Sequence, residues 1–449
     1  MKVNPGIFRA YDIRGIYPTE LNEEVGYAIG RAFVTFLQVD TVIVGRDMRV
    51  SGPQMFDAVT RGVMDQGADV INIGMVGTDQ YYYACATLDK AGIMVTASHN
   101  PAQYNGCKMV KKMPQLLSGD EGIQDLRRII EADAYAPSST RTGKMTERDL
   151  SEDFANMVLS LIDSAGLAQL KVIADTGNGM VGPILTRIYQ RLPMINLTGM
   201  YLEPDGRLPN HGLDPLQPEN RAELERRVVA EGADIGFAFD GDGDRFFTID
   251  DRGHFVPGDF LTALMGQYFL EKYPNSTMLH DIRASWAVPD LIHAAGGTPM
   301  VERVGHAFIK ARMAKENAVF AGEVTGHYYF KDFFFADSGI IPSLVILEIL
   351  SKKKAKLSAL LRPLEAKYFI SGEINTRITG DPQAKMKELA ETFKDSKIDW
   401  LDGVSVTYDN WHFNVRPSNT EPLLRLNLEA VSKALMEEKR DLVLNIIRS

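Results

Sequence analysis

An α/β fold is predicted for this chain of 449 residues: three related α/β domains with mixed sheets, followed by a smaller C-terminal α+β domain. Three observations carry that expectation. At about 150 residues per domain, the chain is too long for a single core. An apolar, strand-like run enters a polar turn and then a helix-like segment at 41–49 (TVIVGRDMR), again at 171–180 (KVIADTGNGM) and again at 277–286 (TMLHDIRASW). Each of these is followed by a second apolar run that ends in a glycine-containing loop: GIMVTASHN at 92–100, DIGFAFDGDGDR at 234–245 and NAVFAGEVTGH at 317–327. Short apolar runs alternating with amphipathic helical segments mark α/β units. In such sheets the functional loops lie beyond the carboxyl ends of the strands.

Taken in order, domain I is expected over 1–145, domain II over 146–250 and domain III over 251–366, each offering one loop. After Leu364 the texture changes. YFISGEINTRI (368–378) alternates like a strand, KMKELAETFK reads as a helix, and VSVTYDNWHFNVRPS reads as strands around a turn. This places an α+β domain IV at 367–449.

Composition removes several function classes. The hydrophobic share of 45% and charged share of 24% are those of a globular protein. A net charge of −10 offers no basic face, so neither nucleic acid nor an anionic membrane is expected as a partner. Cys85 and Cys107 are the only cysteines, too few for a disulfide framework or a cysteine zinc site. The start, MKVNPGIFRAYDIRG, has no long apolar core of a secretory signal, and the apolar stretch Ile340–Leu350 is interrupted by Pro342 and Glu348. A cytoplasmic location is expected.

The loops hold the chemistry. In DGDGDR, Asp240, Asp242 and Asp244 alternate with glycines that permit unusual dihedrals, so three carboxylates can turn toward one point. Oxygen donors at this density suit Mg²⁺ or Ca²⁺. An EF-hand loop would need glycine where Arg245 stands and glutamate where Asp251 stands. The alternative is a structural acidic turn, but three uncompensated carboxylates repel one another strongly. Arg245 would offer a positive charge to an incoming phosphate. TASHNP either caps the following segment as a Ser/Thr turn or presents Ser98 to a reagent. It lacks the G-x-S-x-G elbow of a hydrolase. Lys108 follows the turn at Asn105–Gly106 and can return to the same place. In GEVTGH, Glu323, Thr325 and His327 either read sugar hydroxyls or form a polar turn. In RPSNTEP, Arg416, Ser418, Asn419 and Thr420 offer a guanidinium fork, two hydroxyls and an amide, a set that suits a phosphate dianion. Arg14 and His306 are unremarkable taken singly.

From FRAYDIRG (8–15) to RPSNTEP (416–422), these motifs in this order resemble the α-D-phosphohexomutase superfamily, and within it the phosphomannomutase/phosphoglucomutase branch. The resemblance implies four domains around a central cleft. It also implies a phosphoserine at Ser98, which with Asp240, Asp242 and Asp244 would bind Mg²⁺. Arg14, His99, Lys108 and Arg245 would serve catalysis. Tyr11, Arg283, His306, Glu323, Thr325, His327, Arg416, Ser418, Asn419 and Thr420 would contact substrate. The implied reaction interconverts hexose 1-phosphate and hexose 6-phosphate, mannose favoured and glucose also accepted, through a hexose 1,6-bisphosphate that doubles as activator. A monomer or homodimer is expected. Thr325 stands where the family carries serine, and Arg283 where some members carry lysine. Asn419 replaces the glycine typical of phosphoglucosamine mutases, which remain the alternative together with a metal-dependent sugar phosphatase. Lys108, His99 and His306 are all candidates for the general base.

Overall fold

The structure is a computed structural model that describes residues 1–119, 121–137, 141–417 and 423–449. It divides into two compact units, Met1–Phe255 with Thr325–Lys356, and Val256–Val324 with Leu357–Ser449. The class is α/β with mixed sheets, as the alternating apolar runs predict.

In the first unit one sheet is built from β1 (Ile13–Ile16), β2 (Thr41–Arg46), β3 (Asp69–Met75), β4 (Ala91–Val95), β5 (Tyr104–Lys112), β6 (Gln115–Leu116) and β7 (Met145–Glu147). The order is β1-β5-β4-β2-β3-β7, with β6 on β5. Strands β4, β2, β3 and β7 run parallel, and β5 is antiparallel to both β4 and β1. Every residue of β4 is buried, which explains its unbroken apolar run. The second sheet carries β8 (Leu170–Asp175), β9 (Ile195–Met200), β10 (Ile235–Phe239) and β11 (Phe246–Ile249) in the order β9-β8-β10-β11. The first three are parallel, and β11 folds back antiparallel on β10 with Phe239 opposite Phe246. Both loops of interest, 96–103 and 240–245, therefore cap antiparallel turns at the carboxyl ends of buried strands.

Helices α1 (Glu23–Leu37), α2 (Gly52–Asp65) and α3 (Thr78–Thr87) belong to this unit. Asn22 caps α1 by accepting the Val25 N–H at 3.0 Å, and Glu23 and Glu24 complement the positive end of the helix. Helices α1 and α2 pack backbone to backbone through glycines. A Cβ on Gly62 would sit 2.1 Å from the Tyr27 carbonyl oxygen, and one on Gly30 would sit 2.3 Å from that of Val59. Gly62→Ala is expected to force the helices apart at a cost of about 1–3 kcal/mol. The readout is a lowered melting temperature with unchanged activity per folded molecule.

The interrupted apolar stretch is the helix Ile340–Lys353, buried along Ile340–Ser351. Pro342 lies in its first turn, where a missing N–H breaks no intrahelical bond. Among the described residues no helix is long and apolar enough to cross a membrane.

In the second unit, strand Thr277–Asp281 lies parallel to Thr298–Glu302 on one side and Phe320–Gly322 on the other. The C-terminal sheet is antiparallel throughout, in the order Phe369–Arg377, Leu423–Ala430, Trp411–Pro417, Val404–Thr407, Lys397–Asp399. Helices Pro382–Thr392 and Lys433–Arg448 bury Met386, Leu389, Val443 and Ile447 in a core with Trp411 and Phe413.

Candidate active site

Strand β4 delivers Thr96 and Ser98 to the edge of the sheet. Thr96 Oγ1 donates to Asp47 Oδ2 at 2.7 Å and accepts the Ser98 N–H at 2.9 Å. Ser98 itself sits at φ +48°, the left-handed region that a non-glycine residue enters only when its surroundings hold it there. Its Oγ donates to Asp240 Oδ2 at 2.8 Å and lies 3.2 Å from His99 Nδ1. His99 is half-buried, and burial together with the Arg245 and Arg14 charges pushes its imidazole well below the usual range. Pairing of β1 with β5 places Arg14 beside this turn. Its Nε donates to Asp12 Oδ2 at 2.7 Å, and its Nη1 bonds the Ala97 carbonyl at 3.2 Å and the Asn100 amide oxygen.

Opposite Ser98 stands the acidic loop. One carboxylate oxygen from each of Asp240, Asp242 and Asp244 lies within 4.8 Å of the others, and all three side chains are buried. The turn is fixed from three sides. The carbonyls of Gly241, Asp242 and Gly243 accept the N–H groups of Met180 (2.8 Å), Thr78 (2.8 Å) and Gly339 (3.0 Å). Those donors stand at the amino ends of the helices Val181–Tyr189, α3 and Ile340–Lys353. Three helix amino termini thus direct positive partial charge at the loop. Thr78 Oγ1 adds a bond to Asp242 Oδ2 at 2.5 Å.

Read along the chain, the three carboxylates stand uncompensated; the structure corrects this. In the β4–β5 pairing Lys108 lies opposite Met94, and its Nζ reaches Asp242 Oδ2 at 2.7 Å and also contacts Asp244 Oδ2. Burial works against the Lys108 charge, but Asp242 and Asp244 override it and hold the ammonium well above its usual range. Arg245 Nε bonds Asp240 Oδ2 at 3.1 Å. Repulsion is therefore partly relieved by the chain's own cations. What fits a metal is the donor set. Asp242 Oδ1 and Asp244 Oδ1 are buried without a hydrogen-bond partner and lie among hard oxygen donors. His327 lies next to the same loop, with Nδ1 2.8 Å from Asp337 Oδ2 and 3.8 Å from Asp244 Oδ1.

In the second unit, Arg283 is fully engaged with carboxylates. It bonds Asp281 (2.9 Å), Glu373 (3.3 Å) and lies 3.6 Å from Glu323. Arg416 is buried, and burial with the nearby Arg283 charge presses its guanidinium below the ordinary range. Ser418, Asn419 and Thr420 lie outside the described residues. Tyr11, His306 and Thr325 are half-buried, His306 opening the helix His306–Glu316.

Comparison with known proteins gives matches along the whole chain. The phosphoglucomutase/phosphomannomutase alpha/beta/alpha domains I, II and III match residues 5–136, 152–253 and 257–368, and the C-terminal domain of the same family matches 373–446. The chain belongs to the phosphoglucomutase/phosphomannomutase family. It is 40% identical over 441 residues to a phosphomannomutase of Escherichia coli, covering 96% of each chain. It is 39% identical to a protein described as phosphohexose mutases from Xanthomonas campestris, covering 98% of this chain and 99% of that one. The crystal structure of a phosphoglucomutase/phosphomannomutase family protein from Burkholderia thailandensis superposes with a TM-score of 0.88 at 32% identity, covering 98% and 96% of the two chains.

Several residues of this family member that support the site escaped sequence reasoning. Asp47 and Arg49 stand behind the Ser98 turn, and Thr78 stands behind the acidic loop. Only the repeat position of GRDMR, at the end of an apolar strand, marked the first two. In the second unit Asp259, near Glu429, carries a carboxyl pushed up to about 7 by burial and then by the Glu429 charge. An unfolded aspartate loses its proton near 3.9. Between about pH 4 and 7 the folded chain thus binds the extra proton and loses stability as pH rises. Asp259→Asn keeps one acceptor for the Ser285 or Phe260 N–H and escapes that loss. Its melting temperature is expected to exceed the parent's by a margin that widens from pH 5 to 7 and then holds, corresponding to a stability difference of about 1–3 kcal/mol.

Proposed function

We propose that this enzyme interconverts hexose 1-phosphate and hexose 6-phosphate, with mannose phosphates preferred and glucose phosphates also accepted. The observation that carries the proposal is the Ser98 hydroxyl, set in a left-handed turn 2.8 Å from Asp240 and surrounded by Lys108, Arg245, Arg14 and the acidic loop. Ser98 would carry a phosphoryl group and pass it to the free hydroxyl of a hexose phosphate. The Oγ–P bond breaks as the bond from the sugar oxygen to phosphorus forms, and the proton given up by the sugar hydroxyl is balanced by the one Ser98 Oγ takes up on leaving. The resulting hexose 1,6-bisphosphate then turns round and returns its other phosphate to Ser98. Asp240, Asp242 and Asp244, with a phosphoryl oxygen on Ser98, would hold Mg²⁺, which when bound spreads the charge of the transferring group.

The chain's own residues supply the rest. Lys108 is held as an ammonium, and Arg245 is held charged by Asp240, Asp214 and Asp244 against the effect of burial. Both present fixed positive charge where the phosphoryl group transfers. We assign a phosphate to Arg416 with Ser418, Asn419 and Thr420, and sugar hydroxyls to Glu323 and Thr325. Tyr11, Arg283, His306 and His327 are further assigned ligand contacts, and 1–145, 146–250, 251–366 and 367–449 the four domains that deliver these loops. The relatives' names, phosphomannomutase and phosphohexose mutases, support the reading.

The test compares kcat/KM for mannose 1-phosphate and glucose 1-phosphate in the presence of Mg²⁺ and a trace of hexose 1,6-bisphosphate. Turnover of both without net phosphate release is expected, with mannose ahead. Release of inorganic phosphate as the main product would point to a phosphatase. No turnover by a folded sample with phosphate on Ser98 would overturn the substrate assignment.

A further inference from the structure

Behind the Ser98 turn, Arg49 spends every donor of its guanidinium. It is 1% exposed. Nη2 donates to the carbonyls of Ser98 (2.7 Å) and Asn100 (2.7 Å), and Nη1 to those of Pro101 (2.8 Å) and Tyr104 (3.0 Å). Nε donates to Asp47 Oδ2 at 3.1 Å, so all five N–H groups are used. Asp47 in turn accepts the Thr96 hydroxyl, and Thr96 Oγ1 accepts the Ser98 N–H. Both backbone polar groups of Ser98 are therefore tied to one buried pair. We propose that Arg49, oriented by Asp47, is a positioning residue for phosphoryl transfer, setting where Ser98 Oγ stands relative to the acidic loop without touching any reacting group.

Four further observations bear on this. The residue so held is the one at φ +48°, a backbone conformation that a serine keeps only when its surroundings over-determine it. The tied carbonyls span 98–104, so Arg49 fixes the full width of the turn rather than one end. A guanidinium is also an expensive anchor: burial lowers its proton affinity, and an apolar side chain would fill the same volume at less cost in desolvation. The loop from the second sheet adds a backstop. Gly206 approaches the Asp47–Ser51 turn so closely that a Cβ would lie 2.5 Å from the Met48 carbonyl oxygen and 2.8 Å from the Arg49 Cα. What the arrangement secures is position, and in phosphoryl transfer position carries much of the rate. A displacement of about 1 Å can cost about 10²-fold.

The inference rests on Ser98 being the phosphoryl carrier. The experiment uses the full chain and compares the parent with Arg49→Lys, whose ammonium has three donors for five acceptors. Each is charged with glucose 1,6-bisphosphate, phosphate on Ser98 is counted by intact mass, and single-turnover transfer to mannose 6-phosphate is timed by acid quench. KM and the melting temperature are recorded alongside. Arg49→Lys is expected to accept phosphate and to keep KM within about threefold, while transfer slows by about 30- to 100-fold. Transfer within threefold of the parent, whatever the loss of melting temperature, overturns the proposal by reducing Arg49 to a structural ion pair. Should Arg49→Lys not fold, Asp47→Asn tests the same chain of contacts. It leaves the four carbonyl bonds in place, and about tenfold slower transfer is expected; a parental rate overturns the proposal, as does the failure of both variants to fold. A parent that takes up no phosphate on Ser98 overturns the Ser98 reading first, and with it the role of Arg49.

Discussion

Ser98→Ala is expected to leave a folded protein that takes up no phosphate from hexose 1,6-bisphosphate and turns over hexose phosphates at least about 10³-fold more slowly. The two consequences separate because the side chain and backbone of Ser98 do different things. Its N–H and carbonyl are bonded to Thr96 and Arg49, and alanine keeps both bonds. The substitution removes the hydrogen bond from Oγ to Asp240 Oδ2 and the longer contact of Oγ with His99 Nδ1. Asp240 retains the Arg245 Nε and backbone N–H as donors, each at 3.1 Å. A stability change of about 0.5–1.5 kcal/mol is therefore the scale to expect. A 10³-fold rate loss corresponds to about 4 kcal/mol in the barrier, so the kinetic effect should exceed the thermodynamic one clearly. Intact mass after incubation with the bisphosphate, kcat for mannose 1-phosphate and a thermal melt decide the matter. Parental turnover by a folded Ser98→Ala protein would end the phosphoserine reading.

The parts of this architecture that were legible in the sequence are those written in neighbouring residues. The apolar run AGIMV is a fully buried strand because β4 is covered on both faces, and DGDGDR is a turn because β10 stops and β11 folds back at Arg245–Phe246. YFISGEINTRI does form an antiparallel strand, Phe369–Arg377, although its burial does not alternate and a bulge interrupts the pairing between Ile370 and Glu373. Lys108 does return to the Ser98 turn, but not by the turn expected at Asn105–Gly106: those two residues lie inside β5, paired with Gly15 and Arg14 of β1, and the chain reverses at 96–103 instead. The grip of Lys108 on Asp242 and Asp244 was not legible, because it depends on the register that sets Met94 opposite Lys108 and on a loop more than a hundred residues away. Arg49 is hidden for a similar reason. Four of its five acceptors are backbone carbonyls, which every sequence has, so no residue type announces them. The convergence of Met180, Thr78 and Gly339 on three successive carbonyls is likewise a property of helix placement rather than of any motif.

Lys108→Met is the second large effect, and it tests the metal reading by stability rather than by rate. Methionine preserves much of the length and volume of the stem and deletes the charge. Asp242 and Asp244 then lose their ammonium at a site where Lys108 is 3% exposed and both carboxylates are buried. Removing one partner of a buried ion pair costs about 3–5 kcal/mol, since the remaining charges have no water to turn to. Arg245, engaged with Asp240 and 3.5 Å from Asp214, does not replace it. Without added metal, the melting temperature of Lys108→Met is expected to fall sharply. If the acidic loop binds Mg²⁺, metal at a hundred times its dissociation constant returns about 2.7 kcal/mol, more than half of the loss. The parent, whose ammonium already balances the same oxygens, should gain less from Mg²⁺ than the variant does. Under the role proposed for Lys108, turnover should not recover in step, because the fixed positive charge that would face the transferring phosphoryl group is gone; a residual deficit of about 10²–10³ in kcat is expected at saturating Mg²⁺. Melts of the two proteins across a MgCl₂ series read this directly. Equal and small shifts in both would mean that Lys108 alone satisfies the loop, and that Asp240, Asp242 and Asp244 form a structural turn rather than a metal site.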